Sequence, residues 1–65
     1  MTKKEKDEIR GDMLLTKFCL EEAKAARKRA EKINDIEDFG YRTGLMQGYI
    51  EFIHFCEVLL GEEKE

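Results

Sequence analysis

The apolar residues of this chain fall into two blocks of helical period, separated by one polar turn. In the first block Leu15, Cys19, Ala23, Ala26, Ala30 and Ile33 recur on one face at helical spacing, and Ile9, Met13, Thr16 and Leu20 widen the stripe. Lys17, Glu21, Lys24, Lys28 and Lys32 occupy the opposite, solvated face, while Leu14, Phe18 and Ala25 form a smaller second apolar patch. Ala, Leu, Glu, Lys and Arg dominate this block and are the strongest helix formers. The pattern predicts a helix over about 5–33. Asp12 offers a capped restart after Gly11, so the first turns are expected to fray.

Residues 34–39 read as the turn. Asn34 with Glu37, or Asp35 with Asp38, has the spacing of a capping box. A connection this short makes its two helices antiparallel neighbours. The second helix is predicted over about 40–60. Tyr41, Leu45, Met46, Tyr49, Ile50, Phe52, Ile53, Phe55, Cys56, Val58, Leu59 and Leu60 cover roughly 200° of its wheel, leaving Thr43, Gln47, Glu51, His54 and Glu57 as the polar arc. One antiparallel partner covers about half of such a surface, and the rest must meet another copy of the chain or another protein. Gly61 stops the helix, and residues 61–65 form an acidic tail. The expected fold is all-α: a two-helix antiparallel hairpin, one domain over residues 1–65, self-associating into a helical bundle or ring.

Composition sharpens this picture. A chain of 65 residues buries too little surface to be stable with ease, so it needs a disulfide, a metal or oligomerisation. The two cysteines, Cys19 and Cys56, and the single histidine, His54, lack any zinc-like spacing, so no metal and no cofactor are expected and oligomerisation remains. If the turn centres near residue 37, the two cysteines stand at similar heights, but reduced buried thiols are the expected state. Proline is absent, in keeping with long helices and few turns. The net charge of -3 gives no general attraction to nucleic acid or an acidic membrane, although Lys3–Lys6 and Lys24–Lys32 lean basic. No apolar run reaches membrane-spanning length and no secretion signal is visible, so the cytosol of a host cell is the expected setting.

Candidate chemistry is sparse. No nucleophile–base pair or phosphate loop is present, and His54 has no Cys, Asp or Ser at the spacing a catalytic base and its orienter require, so no enzyme is expected. Gly40, Gly44 and Gly48 recur every four residues, and each costs helix stability. Either they pack tightly on Ala23, Ala26 and Ala30, or another backbone or a ligand approaches them. Arg27 falls among the apolar positions of the first helix, and Arg42 opens the second. Arginine reads phosphate through its planar fork, so both are candidate anion ligands, unless they snorkel or pair with Glu31 or Asp38. Gln47, one turn before Glu51, is a third candidate polar contact. Phe18, Leu45, Tyr49, Phe52, Ile53, Phe55, Cys56 and Leu59 are the candidate oligomer interface.

The run Arg42-Thr43-Gly44-Leu45-Met46-Gln47-Gly48-Tyr49-Ile50 resembles the second long helix of phage-encoded anti-CBASS sponges, small helical proteins that assemble into rings and sequester cyclic oligonucleotide immune signals. The likeness spans residues 40–55, about a quarter of the chain. It implies a homo-oligomer, a small anionic nucleotide ligand, and Arg42 and Thr43 as phosphate contacts. Two other readings stand beside it: a phage or plasmid inhibitor docking on a host protein through the second helix, and a Rop-like RNA-binding regulator. The hairpin form is similar to Rop, but the acidic balance argues against nucleic acid as a partner.

Overall fold

Thr2 starts the first helix. Its hydroxyl accepts a hydrogen bond from the Glu5 amide at 3.2 Å, and the Glu5 carboxylate accepts from the Thr2 amide at 2.8 Å. This reciprocal box satisfies two of the donors that every helix start leaves open, and it holds the Glu5 carboxyl below its ordinary pKa. The computed structural model, which describes residues 1–61, carries α1 from Lys3 to Lys32 without interruption. Gly11 lies inside it, so Asp12 is not a restart. The capping box pins the end that the sequence left to fray.

The turn is shorter than the sequence pattern predicts. Asn34 takes φ 58°, the left-handed conformation. Its amide donates to Glu31 O at 3.2 Å, and the Asp35 amide donates to Ala30 O at 2.9 Å. These two bonds form a Schellman closure of α1, with Asn rather than Gly in the left-handed position. Asp35 also opens the next helix, since its carboxylate accepts from the Asp38 amide at 3.1 Å. One residue thereby finishes one helix and caps the other, and α2 runs from Ile36 to Leu60. Residues 36–39, which the sequence reading placed in the turn, are its first turn. Gly61 ends it at φ 70°. The expected acidic stretch at 62–65 lies outside the described residues.

The two helices form an antiparallel hairpin, all-α as expected. The molecule measures 47 × 22 × 14 Å, which makes it one helix thick. The seam of α1 runs through Ile9, Met13, Thr16, Leu20, Ala23, Arg27 and Ala30, all buried or half-buried. Their alternating spacing of four and three is that of a coiled coil. Leu15 and Ile33, placed on the main stripe by simple helical spacing, are instead 65% and 73% exposed. The opposing seam of α2 runs through Phe39, Arg42, Met46, Tyr49, Ile53, Cys56 and Leu60. Small residues dominate the buried positions near the turn, where Ala23, Ala26 and Ala30 let the axes approach. Among the described residues only these alanines, Cys56 and Leu60 are buried, and no large side chain is fully enclosed. A single layer of helices has no interior, so large apolar side chains such as Leu15, Phe18, Ile36, Tyr41 and Phe55 stay exposed.

Candidate functional site

Three features bear on function: the outer face of α2, the candidate anion ligands, and a basic cleft near the turn.

The outer face begins with the glycines. A Cβ built on Gly40, Gly44 or Gly48 meets nothing within 4 Å. Intrachain packing therefore does not require them, and tight contact with Ala23, Ala26 and Ala30 is not their role. Instead they line an open apolar groove of about 570 Å³ with Tyr41, Leu45 and Tyr49. Tyr41, Leu45, Gly48, Phe52, Phe55 and Leu59 repeat the four-three spacing of the inner seam, displaced by one residue. One residue is about 100° of helix rotation, so α2 carries two coiled-coil seams at nearly a right angle. α1 occupies the first. The second is open: Tyr41 is 61% exposed and Phe55 56%, with Phe52 and Leu59 also exposed. Phe18 of α1 is exposed too, at 63%. Of the expected interface residues, Cys56 is buried, and Tyr49 and Ile53 are half-buried, on the seam facing α1. Plain 3.6-residue periodicity merged the two seams of α2 into one broad apolar face. Their offset of a single residue is the sequence signal that separates them.

The candidate anion ligands do not converge. Arg42 Nε donates to Asp38 Oδ1 at 3.2 Å, and its guanidinium lies 5.4 Å from the Tyr41 ring centre. The Thr43 hydroxyl donates to Phe39 O at 2.8 Å, its own preceding helical turn. Gln47 is exposed. Arg27 stands on the other helix, with its guanidinium 4.4 Å above the Phe39 ring centre. Its Nε is sealed from solvent and has no hydrogen-bond partner. An unsatisfied buried donor costs roughly 1–3 kcal/mol, so Arg27 is an expensive residue at a position where apolar side chains flank it along the seam. The expected pair with Glu31 does not form among the described residues.

Beside Arg27 lies a cleft of about 300 Å³, lined by Lys24, Arg27, Lys28, Glu31, Phe39 and Met46. It sets three cations against one carboxylate on a chain whose net charge is -3. Lys24 also pairs with Glu21 at 3.1 Å, an exposed pair of small energetic weight.

The thiols are separated. Cys56 is buried, and the three-residue connection between Lys32 and Ile36 centres the hairpin near residue 34, which sets Cys56 level with residues 12 and 13 rather than with Cys19. Seven helical residues amount to about 10 Å along the axis, so the turn's true centre takes the cysteines out of register. Both are free. Burial first, then Asp12 and Glu57, push the Cys56 thiol above its ordinary pKa. Among the described residues no group of His, Cys, Asp and Glu could hold a metal ion, and no helix is long and apolar enough to cross a membrane.

Fold and surface together define a class, the helical hairpin with one occupied and one open coiled-coil seam. No family model, curated protein or solved structure matches the chain.

Proposed function

We propose that this chain is a homo-oligomeric binding protein that performs no chemistry and sequesters a small anionic nucleotide, in the manner of a phage sponge for antiviral immune signals. The observation that carries the oligomer is the open second seam of α2. Two seams at nearly a right angle give a helix two neighbours, as at each corner of a four-helix bundle. The glycines supply close approach for the second neighbour, since among the described residues nothing packs within 4 Å of where their Cβ atoms would stand. Leu15, Tyr41, Phe52, Phe55 and Leu59 are all exposed. Their open area is on the order of 600 Å² per copy, close to the roughly 800 Å² per partner of a standard stable interface. The nucleotide ligand rests on the resemblance of residues 40–55 and on the surplus of cations at one cleft.

Native mass spectrometry of the freshly purified protein tests both halves. A discrete oligomer carrying mass adducts of nucleotide size is the expected spectrum. An oligomer that carries no adduct, and gives no calorimetric heat with a panel of cyclic oligonucleotides, would remove the ligand and leave a protein-docking inhibitor as the better reading. A monomer would remove the assembly.

A further inference from the structure

We propose that the cleft between the C-terminal half of α1 and the start of α2 binds the phosphate group of a small phosphate ester, with Arg27 as its principal ligand. The proposal rests on the reading of the protein as a binder of anionic small molecules, and it relocates the anion. The resemblance points to Arg42 and Thr43, but Arg42 is already engaged by Asp38 and the Thr43 hydroxyl by its own backbone.

Among the described residues Arg27 has no such partner. It occupies a seam position, and its guanidinium is fixed over the Phe39 ring. Stacking holds the plane and supplies attraction for a cation, yet provides no hydrogen-bond acceptor. Its Nε is shut away from water as well. A ligand in the cleft cannot reach an atom so enclosed, so a phosphate there would bond to the terminal guanidinium nitrogens, and the neighbouring Nε–H would report the change. Lys24 and Lys28 stand three residues before and one residue after Arg27 on the same helix and line the same cleft. Lys28 offers an oxyanion a point charge beside the planar fork of Arg27, and Lys24 adds a second once a ligand draws it from its exposed pair with Glu21 at 3.1 Å. Glu31 lines the cleft also and opposes the charge, but three cations outweigh it. Met46 and the Phe39 ring add apolar lining. A cleft of about 300 Å³ is at the lower bound of small-molecule sites. Its size and lining fit an ester with a planar or apolar body better than a bare polyanion.

The test uses the intact, isotope-labelled protein titrated with inorganic phosphate and with adenosine 5′-monophosphate. The Nε–H resonance of Arg27 reports the guanidinium's surroundings directly. It is expected to move and saturate, with the monophosphate binding more tightly than phosphate. Arg27→Lys, which keeps the charge and loses the fork, is expected to weaken binding about tenfold. The double variant Lys24→Gln with Lys28→Gln, which changes only α1 surface charges, is expected to weaken it several-fold, and Lys4→Gln, at the far end of α1, to leave it unchanged. A stationary Arg27 resonance would overturn the proposal, as would unaltered affinity in both the Arg27 and the double-lysine variants. Sedimentation of the same samples separates this failure from that of the broader reading. A discrete oligomer with a stationary resonance rejects the cleft alone. A monomer whose Arg27 resonance responds rejects the assembly and retains the cleft.

Discussion

Asn34 shows how much a single residue decides. Its left-handed backbone lets α1 end and α2 begin within one turn. Asn34→Gly relieves the remaining side-chain strain, so urea unfolding is expected to show equal or slightly higher stability. Asn34→Val places a β-branched side chain in a conformation it resists, at a cost of about 1–2 kcal/mol. Equal midpoints for the two variants would contradict this account of the turn. The sequence displayed both capping spacings, Asn34 with Glu37 and Asp35 with Asp38, and the structure uses the second. What spacing alone leaves open is that one aspartate serves two helices, which moves residues 36–39 out of the turn.

Cys56 gives a second prediction at the same scale. Its folded pKa is raised above the unfolded value, so the protonated thiol stabilises the fold below the unfolded pKa of about 8.5. That contribution is lost as pH rises through the folded value. Thermal stability should therefore decline on the alkaline side of about pH 8.5. Native-state labelling with a thiol reagent should modify half-exposed Cys19 well before Cys56. Equal labelling rates in the folded protein would show that Cys56 is not shielded by α1.

At the scale of the element, α2 carries the functional argument. Its existence, its length to within four residues and its excess of apolar surface were readable from periodicity. The division of that surface into two seams was not, because a wheel at 3.6 residues per turn blurs two four-three repeats set one residue apart. The same blurring put Leu15 and Ile33 on the inner stripe of α1. The glycines now make a prediction with opposed signs. Gly44→Ala with Gly48→Ala adds two methyl groups that meet nothing in the hairpin. Each replacement should favour the helix by about 1 kcal/mol. Between copies the same methyl groups hold the backbones apart and weaken assembly. The doubly substituted protein is expected to be more helical as a monomer and to dissociate at higher concentration than the parent. An unchanged oligomer with raised stability would show that the glycine face is not the contact.

At the scale of the whole molecule, the hairpin is 14 Å thick, and among the described residues no large side chain is fully enclosed. Its fold class and antiparallel arrangement follow from two helical blocks and one short turn. The site was less legible: Arg27 stood out in sequence as a charge among apolar positions, but its stacking on Phe39 depends on the register that the short turn sets. The central claim is that one layer of two helices completes itself with further copies of the same chain. Sedimentation equilibrium of the unmodified protein tests this most directly. The expected result is a single discrete multiple of 7.7 kDa that persists at micromolar concentration. A folded 7.7 kDa monomer across the accessible concentration range would contradict the claim.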